Sequence, residues 1–385
     1  MKEKTFSRDS ILALISAFCY ISCATMAMPI TAGFTESLGG SKELMGIMTG
    51  LMYLVSLCVR PVAGNFADKI SKATLTIWGS GLMVVSNFAY TLAPNLTVLT
   101  VARVVCGIGY AACTVGLSTW FSMLVPSNKV GKAMGIYGTM QAISMAIVGK
   151  VAISITDIWG ERTAFVVSAL FAVVTFVLAF VIKDRGNPVI KDGVPKKKIR
   201  LIDINVLPVA LILMFFTIPY NATQGLIKNY VQERAFVVDA GWFITMYAIF
   251  LIVLRVGFRN FFDKVKYRNF LFISLVSSIV AMTSLHFMSN YVFMAVASLC
   301  MAGGYGIMCS VTQATAIKLA GGKENRGVAN STYYMGFDSG MALGPTIGGF
   351  LMAKLPVEMF YPALMLCSAL AFVIYLVCKK KIDNA

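Results

Sequence analysis

Charge is scarce in this chain of 385 residues: Asp, Glu, Lys and Arg together make up 13%, against about 25% in a typical soluble domain. With 58% of residues hydrophobic, that scarcity excludes a water-soluble fold and with it the soluble enzymes. Acid is scarcer than base, 17 Asp+Glu against 33 Lys+Arg. Histidine is nearly absent, the single one being His286. The nine cysteines all fall inside apolar runs without Cys-x-x-Cys spacing. They read as small buried hydrophobes, so neither a disulfide framework nor a zinc site is expected. No Gly-rich loop is followed by Lys-Ser/Thr. Gly107-x-Gly109 and Gly303-Gly304-x-Gly306 lie in apolar runs, where they suit close helix packing; no nucleotide, metal or other cofactor is expected.

What the chain has in abundance is long apolar runs. They fall near residues 10–34, 43–63, 73–92, 96–124, 133–155, 162–182, 206–232, 241–258, 270–288, 291–319, 328–353 and 360–378. A membrane-crossing helix needs about 20 apolar residues, so the reading is an all-α integral membrane protein of about twelve transmembrane helices. The first run follows Lys2, Lys4 and Arg8 as a signal peptide would, but it continues to about Phe34, longer than the ~7–15-residue core of such a signal. It reads as an uncleaved first span.

The net charge of +16 would suggest nucleic acid in a soluble protein. Here it follows topology. With the N-terminus inside, the outer loops hold only Lys42, Arg162, Lys228, Arg234 and Lys354, and the spans only Arg103 and Lys150. All other Lys and Arg, with Arg60 and Arg255 counted at the ends of spans two and eight, then fall on the cytoplasmic side. Lys and Arg resist translocation, so both termini are expected in the cytoplasm, and no nucleic-acid partner is expected.

The longest polar stretch, Lys183 to Asp203, lies between six spans and six spans. It predicts an N-terminal bundle at 1–183, a linker at 184–205 and a C-terminal bundle at 206–385. Lys196, Lys197, Lys198 and Arg200 suit anionic lipid headgroups and equally suit a solvated stop signal. The halves repeat. Arg60-Pro-Val-Ala-Gly-Asn-Phe-Ala-Asp68-Lys69 matches Arg255-Val-Gly-Phe-Arg-Asn-Phe-Phe-Asp263-Lys264, and Gly109-Tyr110 matches Gly304-Tyr305, all offset by 255 − 60 = 195 positions. Two homologous halves are the arrangement of a transporter with its substrate site at the repeat interface.

Three segments carry a resemblance. Gly64-Asn-Phe-Ala-Asp68-Lys69-Ile-Ser71-Lys72, read as the loop after span two, is similar to the G-x-x-x-D-R-x-G-R loop of the major facilitator superfamily, with Lys69 for the usual Arg and Ser71 for the usual Gly. Arg103-Val-Val-Cys-Gly107-Ile-Gly109 resembles that family's intramembrane Arg motif. The run from Gly327 to Gly349, through Asn330, Asp338, Gly344 and Pro345, resembles span eleven of bacterial drug- and metabolite-efflux members, among them the arabinose-efflux-like permeases. The antiporter signature G-x-x-x-G-P-x-x-G-G normally sits in span five; here span five has no proline and the copy lies in span eleven. The resemblance implies two pseudo-symmetric six-helix bundles, gating at the two Asp-Lys loops, and a cavity lined by spans one, four, seven and ten.

Candidate functional residues follow. Gly64, Asp68, Lys69 and Lys72, with Asp263 and Lys264 in the second half, are the gating candidates, their charges pairing across the bundles in one conformation. Arg103 lies about 10 Å below the outer boundary at 1.5 Å per residue, where a cation is costly. It is either functional or a structural arginine on backbone carbonyls. Asp338 is the one acid deep in a span, suited to proton coupling or to a protonated structural bond, and it shares a stripe with Asn330 and Tyr334. Lys150 suits snorkelling to the interface. Cavity candidates are Tyr20, Thr25, Met28, Tyr110, Thr114, Tyr137, Gln141, Tyr220, Asn221, Gln224, Tyr305 and Gln313.

The combined reading is a monomeric secondary transporter of the plasma membrane that moves a small organic solute by alternating access, as proton-coupled efflux of an amphipathic compound or metabolite. The alternative is nutrient uptake by proton symport or facilitated diffusion. A membrane-embedded enzyme has too few catalytic groups to draw on, and a channel would not need paired gating loops or lack a filter pattern.

Overall fold

In the computed structural model, residues 6–40, 42–188, 200–258, 261 and 265–383 are described. Among them there is no strand. Twelve long helices carry the fold: α1 (Arg8–Ser37), α2 (Lys42–Lys69), α3 (Lys72–Leu92), α4 (Leu96–Met123), α5 (Val130–Trp159), α6 (Glu161–Val181), α7 (Leu207–Glu233), α8 (Gly241–Gly257), α9 (Tyr267–His286), α10 (Tyr291–Leu319), α11 (Arg326–Lys354) and α12 (Phe360–Asp383). Within α10, Ala302–Gly306 forms a π turn.

Local chemistry sets the helix starts. Ser7, Ser71, Asn95 and Asn290 each accept a backbone N–H of the first turn, satisfying donors that a helix start leaves open. Eight helices are long and apolar enough to cross a membrane on length and composition alone. The α3 helix falls outside that group on composition, and its polar residues face protein. Ser80 donates to the Thr76 carbonyl at 2.7 Å and Asn87 to the Met83 carbonyl at 2.8 Å, and both side chains are buried.

The chain divides into two compact units. The first comprises Met1–Ala133, Met140–Asp203 and Ala320–Thr332; the second comprises Met134–Thr139, Ile204–Leu319 and Tyr333–Ala385. In the first, Ser168 of α6 donates to the Cys23 carbonyl of α1 and to Asn87 of α3, each at 2.8 Å. In the second, Tyr230 of α7 meets Tyr361 of α12 edge-on at 4.6 Å, and Ser274 of α9 donates to the Gly303 carbonyl of α10 at 3.0 Å.

The apolar runs locate the helices to within a few residues, with one informative exception. Gly64–Lys69, expected as a loop, continues α2 as helix. Its polar residues mimic a loop in hydropathy because their partners lie elsewhere in the fold. Arg60 and Arg255, counted with the cytoplasmic loops, are inside α2 and α8 and are 0% and 3% exposed. Asp263 and Lys264, and the lysines 196–198, lie outside the described residues.

Close helix approach depends on glycine where α3 crosses α4. A Cβ at Gly109 would lie 2.7 Å from the Gly79 carbonyl oxygen, and one at Gly79 would lie 2.8 Å from the Cys113 amide nitrogen. Gly109→Val is expected to destabilise the protein by about 1–3 kcal/mol, read as a lower unfolding midpoint in detergent. Gly225→Ala, whose added carbon would find its nearest neighbour at 3.8 Å, should leave that midpoint unchanged or slightly raised.

Candidate functional site

The first two turns of α11, which belong to the first unit, are held by α2 and α4. Asp68, near the end of α2, accepts the Gly327 N–H at 2.7 Å on one carboxylate oxygen and the Val328 N–H at 3.1 Å on the other. A helix start exposes unpaired N–H groups and a partial positive charge, so a carboxylate suits it. Two glycines permit the approach. A Cβ at Gly327 would sit 2.6 Å from an Asp68 oxygen, and one at Gly64 would sit 2.5 Å from the Ser331 Cβ. Ser331 Oγ donates to the Arg60 carbonyl at 2.5 Å. On the α4 side, Arg326 donates to the Ser122 carbonyl, and Asn330 Nδ2 donates to Thr119 Oγ1 at 3.0 Å.

Of the two lysines in this motif, Lys69 is exposed and Lys72 is buried. The Lys72 and Ala73 amides, at the start of α3, donate to the Gly186 and Arg185 carbonyls at 3.1 and 3.2 Å. Asn65 takes a further connection, donating to the Arg200 carbonyl and accepting the Arg200 N–H at 3.0 Å.

Arg103 is fully withdrawn from solvent. Its Nε donates to the Met48 carbonyl at 2.9 Å, its Nη2 donates to the Thr49 carbonyl at 2.8 Å, and its guanidinium lies 5.8 Å from the Tyr90 ring centre. It joins α4 to the α2 backbone. Arg60, by contrast, donates to Thr114 Oγ1 and lies 5.7 Å from the Tyr110 ring centre, and Tyr110 has Tyr20 and Tyr53 at 6.2 and 5.8 Å. Thr25 is half-buried in the same unit.

In the second unit, Tyr220 stacks on Tyr305 with ring centres 4.1 Å apart and planes 19° apart, and Tyr247 lies 4.8 Å from Tyr220. Gln224 donates to the Tyr220 hydroxyl at 2.5 Å. Asn221 turns back to the Thr217 carbonyl of its own helix at 3.0 Å. Gln313 donates to the Tyr334 hydroxyl at 3.0 Å. Tyr137 is buried, and Asp338 is 0% exposed. The stripe Asn330–Tyr334–Asp338 is thus divided in use: Asn330 is engaged by α4 and Tyr334 by α10. The side chains of Gln141 and Lys150 lie outside the described residues.

Several residues of this arrangement were not among the sequence candidates, Arg60, Ser331 and Tyr247 among them, and Arg255 of the second unit was not one either. The 195-residue repeat pairs the two arginines, and that was the available signal. No group of metal-ligating side chains forms among the described residues.

The family model of the Major Facilitator Superfamily matches residues 13–345 and, a second time, residues 237–382. The chain belongs to the Major Facilitator Superfamily. This is a family of transporters rather than an enzyme class, and the protein is a multi-pass membrane protein. Among its relatives is the quinolone resistance protein NorA of Staphylococcus aureus (strain MSSA476), 24% identical over 340 residues that cover 85% of each chain. Multidrug resistance protein 1 of Bacillus subtilis (strain 168) is 21% identical over 376 residues, covering 94% of this chain and 93% of that protein. Solved structures share the superfamily fold. A bacterial homologue of the iron transporter ferroportin in an outward-facing state superposes with a TM-score of 0.79 at 14% identity, over 97% of this chain and 100% of that one. The human organic anion transporter MFSD10 gives 0.76 at 11% identity, over 96% and 100%.

Two substitutions probe the geometry of this superfamily member. Asp68→Asn removes the charge and one acceptor, a loss of about 1–3 kcal/mol. Hydrogen exchange over Arg326–Thr332 should accelerate while exchange in α9 stays unchanged; equal rates in both proteins would exclude the Asp68 contact as a stabilising one. Arg103→Ala should lower the unfolding midpoint by removing two charge-assisted bonds, each of about 1.5–3 kcal/mol. Arg103→Lys should recover only part of this, because an ammonium lacks the two-pronged fork that reaches both carbonyls.

Proposed function

We propose that this chain is a proton-coupled secondary transporter that exports an amphipathic organic compound across the bacterial plasma membrane. It works as a monomer with both termini in the cytoplasm. The observation that carries alternating access is the Asp68 carboxylate on the Gly327 and Val328 amides. These bonds, at 2.7 and 3.1 Å, have a charged acceptor and are confined to one end of α11, so they stabilise one conformation and must break in the other. Each such bond contributes about 1.5–3 kcal/mol, a size that substrate and proton binding can offset. The moving parts are the halves 1–183 and 206–385, joined through 184–205.

Efflux is supported by the relatives' names, a quinolone resistance and a multidrug resistance protein. The proton role falls to Asp338, a fully buried acid in the helix whose first turns Asp68 holds. An ionisable group at such a depth is costly unless it is used. Orientation rests on the concentration of Lys and Arg in the segments assigned to the cytoplasm. Lys69, Lys72, Asp263 and Lys264 act in this reading as charges at the two gates.

The test uses everted membrane vesicles acidified by respiration and a panel of cationic, neutral and anionic amphipathic compounds. A transported compound should collapse part of the pH gradient, reported by a pH-sensitive dye. Asp338→Asn should abolish that collapse while the protein still inserts and binds. Full gradient-driven transport by the variant would rule out Asp338 as the proton carrier, and no response to any panel member would rule out proton-coupled efflux.

A further inference from the structure

The second unit holds a buried cation that is in no ion pair among the described residues. Arg255, 3% exposed, donates from Nη1 to the Gly138 carbonyl and from Nη2 to the Gly306 carbonyl at 2.9 Å. Its Nε has no partner. Of the helices that hold its partners and neighbours, α7, α8 and α10 carry no Asp or Glu except Glu233, the last residue of α7, while α5 carries Asp157 toward its end and α11 carries the buried Asp338; Arg255 is in no ion pair among the described residues. The repeat shows what is missing. Arg60, the equivalent residue in the first unit, has the Thr114 hydroxyl. The position equivalent to Thr114, 114 + 195 = 309, is Cys309, so Arg255 loses that side-chain acceptor and keeps an unfilled donor.

Beside this cation lie aromatic faces. The Tyr247 hydroxyl borders the Gly306 backbone that accepts from Arg255, 3.5 Å from where a Cβ at Gly306 would stand, and the Tyr247 ring centre lies 4.8 Å from that of Tyr220. Tyr220 in turn stacks on Tyr305, and Tyr305 belongs to the π turn whose last residue, Gly306, supplies one of the Arg255 acceptors. A π turn in a long α-helix is frequent at functional sites.

We infer that Arg255, with Tyr220, Tyr247 and Tyr305, is the binding site for the anionic group of an aromatic amphipathic substrate, a carboxylate or sulfonate carried on a ring system. Neutral carbonyls leave the guanidinium charge uncompensated, whereas an anion accepting from Nε neutralises it and gains a charge-assisted bond. The tyrosine rings take the substrate's apolar body. This site differs from Arg103, whose Nε is already filled by a carbonyl. It rests on the transporter reading above and narrows the substrate to organic anions.

The experiment measures equilibrium binding of radiolabelled 1-naphthoate to the purified full-length protein in detergent, with 1-naphthylmethylammonium as the cationic competitor of matched shape. Wild-type protein should bind naphthoate saturably, and the ammonium compound should compete at least about 10-fold less well, the scale of one charge-assisted bond. Arg255→Gln should weaken binding by about 10-fold or more, and Arg255→Lys by less. Tyr220→Leu, which leaves the charge in place, should weaken it several-fold, so the test survives if the arginine variants fail to fold. Absence of saturable naphthoate binding, equal competition by the ammonium compound, or wild-type binding in folded Arg255→Gln would overturn the inference. In the everted vesicles, transport restricted to cations would defeat the anion site and leave efflux standing. Naphthoate binding that depends on Arg255 without any transport would do the reverse.

Discussion

A hydrocarbon environment offers no water to a buried polar group, so each one must find its partner within the protein. In this chain the partner of a buried arginine is repeatedly a backbone carbonyl of another helix. Arg103 takes two from α2, Arg255 takes one from α5 and one from α10, and Arg326 takes one from α4. A carbonyl accepts a bond as a carboxylate does, but it carries no net charge to cancel the guanidinium. It also cannot be neutralised by a proton. The result is a set of helix junctions in which a buried guanidinium bonds to neutral acceptors.

Beside these arginines stand two acids, Asp68 and Asp338. Asp68 is half-exposed and faces the open N–H groups of α11, where its charge is stabilised. Asp338 is in the same helix but fully buried. One helix therefore carries at its start the amides that bond Asp68 and, further along, the acid assigned here to proton exchange. Both points belong to the single helix α11, which runs from Arg326 to Lys354 with Pro345 inside it.

The helices were legible in the sequence because apolar runs and their breaks follow bilayer thickness, a one-dimensional property. The exceptions share a cause. Gly64–Lys69 looked like a loop because Asn65 and Asp68 are polar, yet their partners, Arg200 and the Gly327 and Val328 amides, are supplied by distant parts of the chain. Arg60 and Arg255 looked cytoplasmic because each lies near the end of an apolar run, and nothing in the local sequence shows a guanidinium turning inward. Arg103 was visible as an intramembrane cation, but its two readings could be separated only by seeing the Met48 and Thr49 carbonyls. Tyr220 and Tyr305 were visible as aromatics on their own helices; their stacking, and the presence of Tyr247, is a fact of tertiary structure.

The membership of the first unit has a consequence for how the protein is made. Residues Ala320–Thr332 belong to that unit, so it remains unfinished when its own run of helices has left the ribosome. Until α11 is synthesised, Asp68 lacks the amides of Gly327 and Val328, and the Arg60 carbonyl lacks the Ser331 hydroxyl. All of α3 to α10 must enter the membrane in the meantime.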